Sequence, residues 1–135
     1  DALFNQEPQS ERVLSVFADE VDGQRVIKRG YDVYVKGRDC LICEDVINTG
    51  LTVLKTRQAV ESAGGKVVAV VALCNRSGGK VSAETLGVVE LVSLVNLSMQ
   101  MFPEADCPIC KENGVKSVRT DLGKGKEFLA RIGGA

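Results

Sequence analysis

Two adjacent carboxylates, Glu44 and Asp45, stand just ahead of a run of small hydrogen-bonding groups, Asn48-Thr49-Gly50, with Thr52 immediately beyond. Paired carboxylates accept hydrogen bonds from the vicinal hydroxyls of a sugar and repel a bare polyphosphate. A glycine lets backbone N–H groups come close to a phosphate, and threonine hydroxyls add further donors. Acids followed by such a loop suit a phosphorylated sugar, with the diol on the acids and the anion on the loop. Singly, each feature has a plainer explanation. A Glu-Asp pair after a strand can be a solvated strand end, and a Thr-Gly pair can be an ordinary turn. Their order within Glu44 to Thr52 carries the reading.

The bulk composition narrows the remaining chemistry. Histidine is absent, so no Ser-His-Asp or Cys-His arrangement and no His-ligated metal can be built. The 17 basic and 18 acidic residues leave a net charge of −1, which favours neither nucleic acid nor an anionic membrane as partner. Hydrophobic residues make up 44% and charged residues 26% of the 135, the composition of an ordinary globular chain of single-domain size. No apolar run reaches the ~18 residues of a spanning helix. Asp1 to Glu7 lack the basic-then-apolar pattern of a signal peptide, so a cytoplasmic location is expected. Five cysteines, at 40, 43, 74, 107 and 110, are an odd number and argue against a disulfide framework.

The elements that position the acids and the loop follow from hydrophobic pattern. Cys40-Leu41-Ile42-Cys43 is apolar on both faces, as a buried parallel strand should be, and is expected to end at Glu44-Asp45. From Thr52 to Ala63 the apolar residues Val53, Ala59, Val60 and Ala63 share one helical face, and Gly64-Gly65 supplies a stop. Lys66 to Leu73 is a second continuous apolar strand. Strand, loop, helix and strand over 40–74 make one right-handed βαβ unit, with the loop at the carboxyl edge of the sheet where open α/β sheets bind ligands. The helix beginning near Thr52 offers unpaired N–H groups to an anion.

Upstream, Asp22-Gly23 between Val13–Phe17 and Gln24–Ile27 signals a hairpin. Tyr31 to Val35 alternates with period two and reads as extended. Downstream, Asn75 to Lys80 reads as a loop, Cys107 to Cys110 as a turn and Lys126 to Arg131 as a short terminal helix. The apolar pattern of Leu86 to Leu97 fits a short strand or a helix equally.

Cys40-Leu41-Ile42-Cys43-Glu44-Asp45-Val46-Ile47-Asn48-Thr49-Gly50-Leu51-Thr52 closely resembles the signature with which type I phosphoribosyltransferases bind 5-phosphoribosyl 1-pyrophosphate, PRPP. The pattern is an apolar strand, two acids, two apolar residues, then Thr-Thr-Gly-x-Ser/Thr. Val70 to Arg76, Cys107 to Lys111 and Thr120 to Phe128 are similar to the orotate phosphoribosyltransferase branch, so the resemblance spans about 25–130. It implies an α/β fold of three layers with a mainly parallel sheet, transfer of phosphoribose from PRPP to a base, and a homodimer.

Carried over by residue, Glu44 and Asp45 would bind the ribose hydroxyls and take the catalytic role. Val46, Ile47, Asn48, Thr49, Gly50, Leu51 and Thr52 would form the binding segment, with 49–52 around the 5-phosphate. Arg76 would face the nucleobase, where a cation suits the orotate carboxylate. Lys28 and Arg29 are the candidates for basic groups reaching the pyrophosphate, or else two solvated charges. Mg²⁺ would arrive bound mainly through PRPP.

Two departures qualify the resemblance. Asn48 stands where the family has Thr, which bears on base preference more than on PRPP binding. The family's Gly-containing pyrophosphate loop has no counterpart in Asp1 to Glu11, so the fold is expected to be incomplete at its N-terminus, with 1–135 as one domain. Orotate is therefore the expected base. A purine or another base, or a PRPP-binding regulatory module without transfer, are the alternatives. The two C-x-x-C pairs suggest a Cys₄ zinc site, but Cys40 and Cys43 in one strand would face opposite ways. They are expected to act as buried small hydrophobes, and Cys107 and Cys110 as a reduced structural turn. Lys124 and Lys126 between glycines lack the spacing of a phosphate loop.

Overall fold

The computed structural model describes residues 13–114 and 119–132, so Asp1 to Glu11, where the sequence offers no glycine, lies outside the described residues. The chain divides into two compact units, residues 1–99 and 100–135.

The first unit opens with a hairpin. Strands β1 (Ala18–Val21) and β2 (Gln24–Ile27) pair antiparallel, with Val21 opposite Gln24. Asp22 and Gly23 turn the chain with φ of 49° and 75°, the two positive values that a type I′ turn requires. The ladder begins at Ala18, so the apolar Val13–Phe17 run forms no strand, and Val13 and Phe17 are exposed.

Tyr31 to Val35 is not extended. Asp32–Val35 forms a helical turn, α1. Tyr31 and Val35 are four apart, a separation that fits both the strand and the helix period. Val33, on the same face only if the segment were a strand, is exposed, while Val35 is buried.

The centre of the unit is a parallel sheet in the order β3-β4-β5, made by Asp39–Ile47, Lys66–Asn75 and Glu90–Asn96. Helix α2 (Leu51–Ser62) connects β3 to β4, and a short helix α3 (Ala83–Leu86) precedes β5. The span from Leu86 to Leu97 thus contains both a helix end and a strand. The α/β class with a parallel sheet is the one expected.

Ile42, Val67, Val70 and Ala72 from the sheet pack with Val53 and Val60 of α2 and with Val35, Ile47, Val81 and Leu86. Intervening strand positions point the other way, and Leu41, Leu73 and Leu94 are 54%, 61% and 77% exposed. Gly64, at φ 82°, ends α2 as its pattern anticipates.

In the second unit, Pro108–Asn113 forms helix α4, so the Cys107–Cys110 segment is the start of a helix and not only a turn. Gly125–Ile132 forms α5, the expected terminal helix. Among the described residues, no helix is long and apolar enough to cross a membrane.

Candidate functional site

The acids lie inside β3 and not beyond its end. Parallel pairing to β4 continues through Glu44 opposite Ala72 and Val46 opposite Cys74 to Ile47 opposite Asn75. The strand extends this far because Ile47 is a core anchor, 1% exposed, and draws its neighbours into the ladder. The Val46 N–H donates to the Asp45 carboxylate at 2.6 Å. Burial holds the Glu44 carboxyl above its ordinary range, and the neighbouring Asp45 charge pushes it the same way. The Arg25 guanidinium, from β2, pulls it back, and the hydrogen bond with Asp45 raises it further. A half-buried acid beside an exposed one is an electrostatically costly pair when both are ionised, and hydroxyl donors would relieve it.

The loop after the strand carries the features of an anion cradle. Gly50 sits at φ 76° as the cap of α2, and no side chain caps that helix. The Leu51 N–H donates to the exposed Thr49 hydroxyl at 3.4 Å. Helical bonding starts with the Leu54 N–H donating to the Gly50 carbonyl at 2.9 Å. Beyond the Leu51 N–H, the first turn of this 12-residue helix has no side-chain cap, and it lies at the positive end of the helix dipole. Thr49 and Leu51 are exposed and Thr52 half-buried, so backbone and hydroxyl donors share one accessible edge.

Gly50 has a second reason to be glycine. A Cβ there would lie 3.1 Å from Leu86 and 3.2 Å from Val81, so the missing side chain makes room for α3 and the segment before it.

Arg76 follows β4 and lies against the same loop. Its N–H donates to the Ile47 carbonyl at 2.9 Å, and its guanidinium Nε donates to the Asn48 side-chain oxygen. The structure thus brings together Glu44, Asp45, Asn48, Thr49, Gly50, Thr52 and Arg76 along the ends of two neighbouring parallel strands. Val46 and Ile47 contribute the strand itself and the core anchor, and Leu51 the exposed first residue of α2.

Sequence reasoning missed Asn75. It is buried at 6% exposure, donates to the Val81 carbonyl at 3.1 Å and accepts from the Ser77 N–H at 3.1 Å. Both faces of its amide are used, which an aspartate, having no donor when ionised, could not match. A polar residue at a strand end was the only available signal.

Lys28 and Arg29 are not brought to the loop by any contact among the described residues. Arg29, just beyond β2, pairs with Asp19 of β1 at 3.5 Å, and the basic group that acts on Glu44 is Arg25. Cys40 and Cys43 share β3, but the expectation that both are buried holds only in part. Cys40 is half-buried against the core and Cys43 is exposed. Among the described residues, no group of three or more Cys, His, Asp or Glu side chains could hold a metal ion. Two neighbouring carboxylates suit a hard cation that keeps most of its oxygen ligands from a substrate or water.

A parallel sheet with an acid pair and an uncapped glycine-started helix at its carboxyl edge defines a class, and the family comparison assigns it. The model of the phosphoribosyl transferase domain matches residues 16–104, and the chain belongs to that family. Within it, the chain is similar to proteins called orotate phosphoribosyltransferase. One from Campylobacter jejuni subsp. doylei is 34% identical over 113 residues, covering 77% of this chain and 55% of the relative. One from Caldicellulosiruptor bescii is 39% identical over 98 residues, covering 73% and 49%. One from Sulfurimonas denitrificans is 32% identical over 108 residues, covering 73% and 53%. The chain spans about half the length of the curated relatives it matches.

Proposed function

We propose that this chain supplies the ribose-phosphate and base-facing part of an enzyme that transfers phosphoribose from PRPP to orotate, giving orotidine 5-phosphate and pyrophosphate. The observation that carries the proposal is the junction of β3 and α2. An acid pair in the strand is followed by a left-handed glycine that opens an uncapped helix. The 5-phosphate takes the N–H groups at the start of α2 and the Thr49 and Thr52 hydroxyls. Glu44 and Asp45 accept hydrogen bonds from the ribose 2- and 3-hydroxyls. With the sugar fixed at both ends, its C1 is held in place while the bond to pyrophosphate breaks and a bond to a ring nitrogen forms on the opposite face. The carboxylates favour the positive charge that develops on the ring. Mg²⁺, when bound with PRPP, lowers the charge on the leaving pyrophosphate. The names of the similar proteins support orotate as the base, and the guanidinium of Arg76 beside the loop suits its carboxylate.

The test has two parts. Ribose 5-phosphate, or PRPP with Mg²⁺, should raise the melting temperature of this chain, and the gain should vanish in Gly50→Val. The full-length protein should release pyrophosphate from PRPP only when orotate is added. Release with a purine base and not with orotate would replace the base assignment. Binding without release for any base would make the protein a PRPP-responsive module.

A further inference from the structure

The sulfur pair of the second unit lies beyond the residues matched by the family model, and the proposed transfer reaction makes no use of it. Cys107 precedes helix α4, Pro108 occupies its first turn, and the Lys111 N–H donates to the Cys107 carbonyl at 3.0 Å. Residues 108 and 109 are therefore helical, and they set the separation of Cys107 and Cys110. From 1.5 Å rise and 2.3 Å radius, Cα atoms three residues apart on a helix lie about 5 Å from each other. Disulfides close across about 4.4–6.8 Å, so the Cα separation of this pair lies within the range that a disulfide bridges. Cys110 is also the main influence on the Cys107 thiol, which it holds below its ordinary range. Both cysteines are half-buried, and neither is in a disulfide. No group of three or more metal-binding side chains occurs among the described residues, so a closed zinc site is not formed there.

We propose that Cys107 and Cys110 form a thiol–disulfide exchange site whose reaction partner is a low-molecular-weight disulfide such as oxidised glutathione. Cys107 is the attacking sulfur and Cys110 the resolving one. The Cys107 thiolate attacks one sulfur of the disulfide RS–SR. That bond breaks, RS⁻ leaves with the electron pair and takes up a proton, and Cys107 is left as a mixed disulfide. Cys110 gives its proton to solvent and attacks the Cys107 sulfur, expelling the second RS⁻, which is protonated in turn. Two cysteine thiols are oxidised to one disulfide while one RS–SR is reduced to two RSH. The order follows from acidity: Cys110, through its backbone and side chain, holds the Cys107 thiol below its ordinary range, so Cys107 is the readier thiolate. Oxidation of this kind in a reducing compartment is transient, as a redox-responsive pair requires.

Cys40 and Cys43 are the internal control, because the same spacing in a strand separates Cα atoms by about 10 Å on opposite faces. The experiment uses the full chain, incubated in glutathione buffers of graded oxidation, alkylated, and read by intact mass and peptide mapping. Wild type should lose two hydrogens and protect only Cys107 and Cys110 from alkylation. Cys110→Ser should accumulate a glutathione adduct on Cys107, and Cys107→Ser should form adducts about tenfold more slowly. In wild type, alkylation of Cys107 should persist to lower pH than that of Cys43, a measurement that needs no variant. A wild-type chain whose pair stays reduced where Cys43 is already glutathionylated would overturn the proposal. Equal alkylation rates at Cys107 and Cys43, or oxidation that begins only after a chelator strips a metal, would also overturn it.

Discussion

Two loops leave the same edge of the parallel sheet, one after β3 and one after β4, and they use their polar groups in opposite ways. The loop after β4 is closed upon itself. Asn75 bridges the Val81 carbonyl and the Ser77 N–H, and the Ser77 hydroxyl accepts from the Val81 N–H at 3.0 Å. The helix that follows is capped at both positions of a Ser82–Thr85 box. The loop after β3 keeps its donors. Its helix has no side-chain cap, and Gly50 exposes the first turn. Buried polar groups must be satisfied by the protein, whereas a loop built for a ligand leaves them for the ligand to satisfy. Arg76 joins the two loops, its backbone on Ile47 and its guanidinium on Asn48.

The comparison breaks most visibly at that joining residue. In the full-length protein, Arg76→Ala should lower kcat/KM for orotate by about 2–4 kcal/mol, roughly 30- to 1000-fold, and leave the KM for PRPP nearly unchanged. Steady-state kinetics with each substrate varied in turn check this. Equal loss for both substrates would mean that Arg76 holds the loop together and does not face the base.

Glycine in each loop gives the next contrast. Gly50→Val forces a β-branched residue to φ 76° and presses it on Val81 and Leu86, so urea melts should show a loss of about 3 kcal/mol. Gly79, at φ 83° with nothing within 4 Å of a Cβ, should lose only about 1 kcal/mol on change to Ala. It should also keep its affinity for ribose 5-phosphate.

Asn75→Leu sharpens the structural side of the contrast. It leaves the Val81 carbonyl and the Ser77 N–H unpaired and should cost about 2 kcal/mol of stability. Calorimetric titration of the folded variant should still show ribose 5-phosphate binding.

The smallest expected effect carries a sign. Glu44 keeps its proton above the ordinary glutamate range, so its folded value exceeds its unfolded one. The stability it contributes is complete below the unfolded value and is lost as pH rises through the folded value. At neutral pH, Glu44→Gln should therefore stabilise the fold, by under about 1 kcal/mol after solvent screening, while weakening ribose binding. In wild type, binding should weaken on acidification at a higher pH than an ordinary carboxylate would set. Thermal melts and titrations across pH check both statements.

The βαβ unit was legible because its signals are local. Continuous apolar strands, a one-faced helix and a Gly-Gly stop are all readable within a few residues, and the acid–loop order lies in one segment. What escaped depends on distant partners. Asn75 looks like any polar strand end until Val81 lies beneath it, and Gly50 acquires its second role only where Leu86 arrives. Arg25 reaches the field of Glu44 through a hairpin that no spacing rule connects to β3. Tyr31 to Val35 failed for a different reason, since a four-residue separation satisfies both periods and only burial distinguishes them. Cys43 was expected to be buried because β3 is apolar on both faces, yet one face of the sheet carries exposed Leu41 and Leu73.

The central claim is that the donors left open after β3 receive the phosphate of a phosphorylated ribose. Amide chemical shifts followed by two-dimensional NMR during a ribose 5-phosphate titration of this chain test it most directly. The account expects the N–H signals of Thr49 to Val53 to move together and to saturate, with smaller shifts at Glu44 and Asp45. The signals of Ser77 to Val81 should stay in place. Saturable shifts that map instead to Ser77–Val81 or to Lys28 and Arg29, with Gly50 to Val53 unmoved, would contradict it.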